Sequence, residues 1–496
     1  MSGIVGRYGY IIDKQSIDAT TLENLRKDLT VAAKVNPMFQ PPATPFRVFG
    51  ETQQRIYLPR FYGNKRFGIP AKKDITFPCI HPFSTPNLRM NPSFQPLEQQ
   101  KPALRALLTS LSKTGGGILS LQCGGGKTYC GLFTACALKL KTLIIVHKEF
   151  LLDQWVERIE QFIPNAKIGR IQAKVYDIEG KDFVIGMLQS ISMKDELTKK
   201  MFSMFGTVIC DEAHHISAET FSRALPKIAT KYMIGLTATP TRDDGLTKVF
   251  KWFLGDVCYK AKQAQHAVIV RVIEYRPANE SRYIAYDKRG QFSQSKTITK
   301  LKDDMSRNVR VAKEIVDIYL EGRQNLIVSE RKEHLVVLEK CIQSYFKELR
   351  LHAVEKPEIG YYVGQMKKEE RDKSATRMII LGTIQMVEEA LDIATLNTIT
   401  LTTPLSSKKR MFQSIGRILR KVHKDKPPLV VDIQDKYTKI SMYTTRFNKR
   451  CDFYFMNNYK ILLFKLDNTI VELTKESSKN KKSHNGPIGK CLLMED

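Results

Sequence analysis

The sequence predicts an α/β chain in which two tandem lobes, each built on a parallel sheet, follow a small N-terminal α+β domain. Three observations point there. From residue 95 to about 260, short apolar runs alternate with amphipathic stretches of helical period, and such alternation builds a parallel sheet covered by helices. From about 300 to 450 the alternation repeats at similar length. Only the first repeat carries a glycine-rich phosphate-binding sequence, Leu121-Gln-Cys-Gly124-Gly-Gly126-Lys127-Thr128.

A chain of 496 residues exceeds one ordinary core, so about two to four domains are expected. Hydrophobic residues make up 42% and aromatics 9%, a globular composition rather than a disordered one. The formal net charge of +28 is the outlier. An excess of Lys and Arg on this scale favours a polyanionic partner, most simply nucleic acid, although a lysine-rich source or a solubility effect would also produce it. There is no early apolar segment and no run long enough to span a bilayer, so no membrane association is expected. The nine cysteines are scattered without a C-x-x-C pair. That pattern suggests neither structural zinc nor a disulfide framework, and it fits a reducing intracellular compartment.

In chain order, residues 1–90 read as an accessory domain. Thr20 and Glu23 have capping-box spacing ahead of Leu25 and Leu29, which predicts a helix near 20–34. Pro37, Pro41, Pro42 and Pro45 predict a loop after it. Arg55-Ile-Tyr-Leu-Pro-Arg60-Phe-Tyr62 interleaves basic and aromatic residues in a strand-like run. Such a run can bind nucleic acid by charge and stacking, and the core of a small β-domain explains it as well. Residues 91–260 form the first lobe, with strands expected at Gly117–Leu121, Thr142–Val146, Asp182–Met187, Thr207–Cys210 and Tyr232–Leu236. A helix from Glu149 carries Leu151, Leu152, Trp155, Ile159 and Phe162 on one stripe. Residues 261–304 read as a polar connector. The second lobe, 305–473, opens with helix 305–321, strand Asn325–Ser329 and helix 333–347. Strands Met378–Leu381 and Thr398–Leu401, helix 408–421 and strand Leu429–Ile433 follow. The chain then turns polar and basic over 474–496, a solvated tail.

A strand, a glycine loop, Lys-Thr and a helix form the context of a phosphate cradle. Gly124, Gly125 and Gly126 let backbone N–H groups approach phosphate oxygens, beside Cys123 in the same loop, and the following helix adds its dipole. Lys127 can reach the β- and γ-phosphates, and the Thr128 hydroxyl can hold Mg²⁺. The general P-loop has Gly where this chain has Leu121. Val208-Ile-Cys-Asp211-Glu212-Ala-His214 ends a strand in adjacent carboxylates, at the sheet edge where open α/β folds bind ligands. Asp211 can hold Mg²⁺ through water, and Glu212 can orient or deprotonate an attacking water. In the second lobe, Arg417 and Arg420 lie one helical turn apart, and their guanidinium groups suit bidentate capture of γ-phosphate oxygens. Taken alone, that pair reads first as a salt-bridged basic helix face.

Together these stretches resemble the superfamily two helicases and translocases, whose first motif, A-x-x-G-x-G-K-T, accommodates Leu121. The resemblance implies RecA-like lobes, ATP with Mg²⁺, and an ordered series of roles. Gln100, with Gln99 the nearby alternative, resembles the glutamine that reads adenine. Thr142–Val146 with His147 and Lys148 resembles motif Ia, and Gln189-Ser190 resembles motif Ib; both imply contacts to the nucleic-acid strand. Thr237-Ala238-Thr239 matches motif III, which couples hydrolysis to the strand, and His214 and Asp392 join the implied coupling set. Asn325–Ser329 with Glu330 and Arg331 resembles motif IV, which like motif V implies strand contacts, here for Ser329, Arg331 and Thr383. Gly382-Thr383 and Glu388-Glu-Ala390-Leu-Asp392 resemble motif V, with Ala390 where Gly is usual. Gln413-Ser-Ile-Gly416-Arg417-Ile-Leu-Arg420 matches motif VI and implies nucleotide contacts for Gln413, Arg417 and Arg420.

Finer details are similar to the XPB branch and its poxvirus and large DNA virus relatives. Leu121-Gln-Cys-Gly resembles that branch's Leu-Pro-Cys-Gly. Gly235-Leu-Thr-Ala-Thr-Pro-Thr-Arg242-Asp243-Asp244 resembles its motif III and the Arg-Glu-Asp element that engages duplex DNA, with Asp243 in place of Glu. The resemblance spans roughly 95–450 and leaves the first 90 residues uncovered. It implies a nucleic-acid-stimulated ATPase that tracks or unwinds strands in transcription, repair or replication, with DNA expected ahead of RNA and partners in the transcription or repair machinery. The alternatives are an RNA helicase, a duplex translocase that remodels protein–DNA complexes without strand separation, and a non-catalytic scaffold. Intact Lys127, Asp211, Glu212, Arg417 and Arg420 argue against the scaffold. The expected compartment is cytoplasm or nucleus, or a virion for a viral source.

Overall fold

The structure is a computed structural model that describes residues 3–34, 43–77, 80–122, 124–193, 201–212, 218–228, 230–238, 244–261, 267–349, 356–364, 366–390, 393, 395–419 and 426–475. The chain divides into two compact units, Met1–Gln263 and Ala264–Asp496.

The N-terminal residues of the first unit form a five-stranded sheet that includes Ile4–Gly6, Gly9–Asp13 and Arg55–Leu58. Its core gathers Val5, Tyr10, Ile12, Leu25, Leu29, Ile56, Leu58 and Tyr62. The helix here is Ala19–Asp28, shorter than expected and capped differently. Asp18, not Thr20, accepts the capping N–H, from Thr21 at 2.7 Å, because its short carboxylate reaches the helix's first turn from an extended backbone. The basic–aromatic run is spent on packing. Arg60 is buried, donates to the carbonyls of Lys231 at 2.7 Å and Thr114 at 2.8 Å, and lies over the rings of Phe61 and Phe77 at 5.2 and 5.1 Å. Tyr62 meets Trp252 edge-on at 5.2 Å. These contacts seat the N-terminal domain on the sheet that follows.

That sheet consists of β1 (Gly116–Ser120), β2 (Thr142–Val146), β3 (Ile168–Gln172), β4 (Val175–Tyr176), β5 (Phe183–Met187), β6 (Thr207–Asp211), β7 (Tyr232–Thr237) and β8 (Val257–Lys260). Its order is β4-β3-β5-β2-β6-β7-β1-β8, parallel except for the β3–β4 pair. Helices α1 (Lys101–Thr114), α2 (Lys127–Leu138) and α3 (Glu149–Phe162) accompany it. Leu143 and Ile145 of β2 enter one core while Ile144 and Val146 enter the other, and Val208 and Cys210 of β6 likewise oppose Ile209. A strand covered on both faces has no polar side, so its sequence is an unbroken apolar run.

The second unit repeats the plan with β9 (Ile269–Tyr275), β10 (Asn325–Ser329), β11 (Ile359–Tyr362), β12 (Ile379–Thr383), β13 (Thr398–Leu401), β14 (Leu429–Asp435), β15 (Lys460–Phe464) and β16 (Ile470–Glu472). The order is β11-β12-β10-β13-β14-β9-β15-β16, with only β15–β16 antiparallel. Helices α4 (Met305–Leu320), α5 (Lys332–Glu348), α6 (Lys408–Ile415) and α7 (Ser441–Met456) belong to this unit. The expected connector 261–304 therefore needs correcting, because β9 lies inside the sheet between β14 and β15. Arg271 and Glu274 give that run its polar look, yet each finds a distant partner: Arg271 pairs with Glu314 at 2.6 Å and Glu321 at 3.1 Å, and Glu274 pairs with Lys436. Helix 408–421 also shortens. α6 stops at Ile415, and the chain continues in tight turns with Arg417 N–H donating to Ser414 O at 3.1 Å.

Candidate active site

Three strands build the site. β6, β7 and β1 are adjacent and parallel, so their C-terminal ends share one edge. Asp211 ends β6 with Glu212 next, Thr237 ends β7 with Ala238 next, and the glycine loop follows β1. The loop is tied to its neighbour by Leu121 N–H, which donates to Thr237 O at 3.0 Å. Gly124 and Gly126 have φ of 78° and 80°, the left-handed region that glycine adopts without strain. A Cβ at Gly126 would also collide with the Gln100 carboxamide. Gln100 is buried, accepts from Leu97 N–H at 3.0 Å and donates to Gly125 O at 3.5 Å, while Gln99 is exposed. Gly126 caps α2, so the first-turn N–H groups of that helix have no intrahelical partner.

Lys127 Nζ is ion-paired with Glu212 Oε1. The other carboxylate oxygen of Glu212 accepts from Ala238 N–H at 3.4 Å. Glu212 has a φ of 46°, and its own N–H donates to Leu236 O at 2.9 Å. A left-handed non-glycine residue costs on the order of 1–3 kcal/mol and is held only where its surroundings over-determine it. Asp211 is 8% exposed, and Trp155 Nε1 donates to its Oδ2 at 2.9 Å. Burial, then the charge of Glu212, pushes the Asp211 carboxyl up to about 6 against the opposing pull of Lys127 and Trp155.

This donor set suits a magnesium nucleotide. Glycine N–H groups and Lys127 match phosphate oxygens, while the Thr128 hydroxyl and the buried Asp211 carboxylate offer hard oxygen donors of the kind Mg²⁺ takes. Sequence reasoning missed Trp155, which it placed on the apolar stripe of α3. The signal available was that a buried indole N–H needs an acceptor.

The remaining expected residues are placed as follows. Gln189 Nε2 donates to His147 O at 3.0 Å, tying together the two stretches expected to contact a strand, and Ser190 Oγ accepts from Ala173 N–H at 3.1 Å. Lys148 is half-buried at the N-cap of α3. In the second unit Ser329 is fully buried. Its hydroxyl meets His334 Nδ1 at 3.1 Å and accepts from Arg331 N–H at 3.1 Å, so it braces the turn that leads into α5. Arg331 donates to Thr299 Oγ1 at 3.0 Å and Ser295 Oγ at 2.8 Å. Thr383 ends β12 half-buried, Gln413 is buried in α6, and Arg417 is buried just beyond that helix. Cys123, His214, Thr239, Arg242, Asp392 and Arg420 lie outside the described residues.

A phosphate loop, an acidic strand end and motif III on one edge of a RecA-like sheet define an ATPase of the helicase and translocase class. Residues 93–242 match the family described as type III restriction enzyme, res subunit. The chain is 34% identical to a protein of Acanthamoeba polyphaga mimivirus named as an ATP-dependent RNA helicase, over 87% of this chain and 81% of that one. It is 26% identical to an XPB-type DNA 3′-5′ translocase of Sulfurisphaera tokodaii, over 69% and 82% of the two chains. It is 27% identical to a helicase of invertebrate iridescent virus 6, over 78% and 85%. In fold it is similar to a fragment of the HsdR subunit of a Vibrio vulnificus type I restriction enzyme, with a TM-score of 0.53 at 17% identity over 76% of this chain and 70% of that one. It is also similar to S. cerevisiae Dbp5, with a TM-score of 0.51 at 13% identity over 78% and 93%. The chain belongs to the superfamily two helicases related to XPB and to the helicases of large DNA viruses. It is an ATP-dependent enzyme of helicase type that uses ATP with Mg²⁺ and acts on nucleic acid. Among the described residues no helix is long and apolar enough to cross a membrane.

Proposed function

We propose that the chain is a DNA motor whose hydrolytic residues are Lys127, Thr128, Asp211 and Glu212, with Arg417 and Arg420 contributed by the second lobe. On this reading residues 91–260 are the nucleotide-binding lobe, residues 1–90 are accessory, and the second lobe begins with β9. The observation that carries it is the Lys127–Glu212 pair joined to Ala238 N–H on one sheet edge. Bound ATP with Mg²⁺ supplies the γ-phosphoryl group and the cation that offsets its charge. Lys127 leaves Glu212 to hold phosphate oxygens. Glu212, so released, accepts a proton from the attacking water. Ala238 N–H, bonded to the same carboxylate, couples that change to the stretch after β7. Trp155 keeps the Asp211 carboxylate oriented, and the two arginines neutralise developing charge, an effect worth on the order of 10³–10⁵ in rate in related chemistry.

DNA is favoured by the likeness to a translocase named for DNA, together with the Arg242-Asp-Asp sequence. A partner in transcription or repair belongs to the same proposal. RNA is the second reading, favoured by the name of the mimivirus relative. ATPase activity with single-stranded DNA, duplex DNA and RNA of matched sequence, at two salt concentrations, decides between them. DNA is expected to stimulate more strongly, and stimulation by RNA alone refutes the assignment. Strand-displacement and triplex-displacement assays run together separate unwinding from duplex translocation.

A further inference from the structure

The second unit contains a cavity of about 550 Å³ that no motif residue lines. It lies where a short hairpin meets the start of α7. Tyr286 and Phe292 are a bridged antiparallel pair, so their rings stand on one face of the hairpin. They remain 57% and 40% exposed. The turn between them is ordered by Asp287, whose Oδ1 accepts from Arg289 N–H at 2.8 Å and Gln291 N–H at 2.9 Å. Two aromatic rings are thus presented to the cavity by a braced turn that also carries Lys288 and Arg289.

The α7 side is cationic. Lys439, Arg446 and Lys449 line the cavity and no carboxylate does. Arg446 is oriented by donating to Pro404 O at 2.9 Å and Gln294 Oε1 at 3.1 Å. Lys449 is exposed and carries no ion pair among the described residues. Glu280, close by, is occupied by Thr438 Oγ1 at 2.9 Å and Lys439 N–H at 2.8 Å. The α7 N-terminus has no side-chain cap, which adds a set of N–H groups suited to an anion. Cations alone would serve any acidic partner. Exposed rings beside them fit a nucleotide, which has a π-face and a phosphate a few ångströms apart. Gln294 on the cavity wall is followed by Ser295, which accepts from Arg331 at 2.8 Å, so the cavity borders the motif IV stretch expected to contact the strand.

We propose that this cavity is a subsite for one unstacked nucleotide of a single strand, its base against Tyr286 and Phe292 and its phosphate held by Arg446, Lys449 and Lys439. The assignment rests on the nucleic-acid motor reading. The test uses the full chain and fluorescence anisotropy with a short labelled oligo(dT), the same strand made abasic, and oligoglutamate as an acidic peptide. The wild type is expected to bind intact oligo(dT) about tenfold more tightly than the abasic strand, in line with base stacking on aromatic side chains. In Tyr286→Ala/Phe292→Ala that preference disappears with an unchanged thermal midpoint. Lys449→Glu weakens both strands and lowers the slope of log affinity against log salt by about 1. If the wild type binds oligo(dT) and is stimulated by it, yet the aromatic variant keeps the preference and Lys449→Glu keeps the slope, the subsite is overturned while the motor reading stands. Oligoglutamate binding as tight as oligo(dT), with no abasic penalty, overturns the subsite in favour of an acidic protein partner. A wild type that neither binds nor responds to any strand overturns both.

Discussion

Trp155→Phe separates packing from chemistry at the acidic strand end. The substitution keeps an aromatic ring on the buried face of α3 and removes one atom with a function, the indole N–H that donates to Asp211 Oδ2 at 2.9 Å. A hydrogen bond to a charged acceptor is worth about 1.5–3 kcal/mol, which corresponds to roughly 10- to 150-fold in an equilibrium constant. Residues that orient a metal-binding carboxylate typically contribute about 10- to 100-fold to affinity or activity, so the two estimates agree. The expected result is a rise of about tenfold or more in the Mg²⁺ concentration giving half-maximal nucleic-acid-stimulated ATPase, with kcat recovering in part at saturating Mg²⁺. Trp155→Leu loses the same donor and more packing, so it should shift the Mg²⁺ midpoint equally while lowering Tm further. A Trp155→Phe enzyme with a normal Mg²⁺ midpoint would refute the orienting role and leave Trp155 as core alone.

Lys127→Ala and Glu212→Gln should each abolish stimulated ATPase while leaving oligonucleotide binding largely intact; loss of a general base costs about 10²–10⁴ in rate, and unchanged turnover in either purified variant refutes the site. Asp435→Asn should destabilise the second unit by about 3–5 kcal/mol in denaturant titration, because it strips the buried Arg307 of its bidentate partner at 2.6 and 2.9 Å; a change below about 1 kcal/mol counts against the pair. His334 should make stability fall in acid. Burial, with Arg307 nearby, holds its imidazole down from the usual 6.5 to about 3. The unfolded chain therefore binds a proton that the folded chain refuses, and stability declines from about pH 6.5 toward pH 3 by up to about 1.4 kcal/mol per pH unit. His334→Gln should flatten that slope in urea titrations across pH, and an unaltered slope disproves the assignment.

Strands buried on both faces were the most legible parts of this chain. Thr142–Val146, Asn325–Ser329 and Thr398–Leu401 have the bounds their apolar runs imply, because nothing along such a strand has to be polar. Legibility failed where a polar residue is satisfied from far away in sequence. Arg271 in β9 is paired with residues 43 and 50 positions distant, so the run looked like a linker. Trp155 and Asp211 are 56 positions apart, so the indole looked like core alone and its bond to the acidic pair was not visible. Ser329 was placed at a strand end within motif IV, and nothing local showed that His334, on the next helix, meets its hydroxyl. Local rivalry accounts for the first helix, where Asp18 and Thr20 both had cap chemistry and only backbone geometry chose between them. The strand Lys460–Phe464 and helix Ser441–Met456 escaped notice; the helix buries Arg450 among Tyr443, Phe447 and Tyr454, so a charge interrupts its apolar stripe.

The Lys127–Glu212 pair also constrains how the site can work. On the proposed assignment a lysine that holds phosphate is engaged by the carboxylate that activates water, and both side chains are mostly buried, at 13% and 18% exposed. Neither can act while the pair persists, so binding of phosphate and release of the base are one event. Glu212 is held in a left-handed conformation and bonded to Ala238 N–H, so freeing its carboxylate is felt at the end of β7 without any longer chain of contacts. The two substitutions should accordingly differ in kind. Lys127→Ala removes the phosphate ligand and leaves a carboxylate that repels the nucleotide, so nucleotide affinity falls together with turnover. Glu212→Gln weakens the hold on Lys127 and removes that repulsion, so nucleotide affinity is kept or improved while hydrolysis stops. A shared pattern, with both variants losing affinity equally, would mean that the pair stabilises the loop and does not gate it.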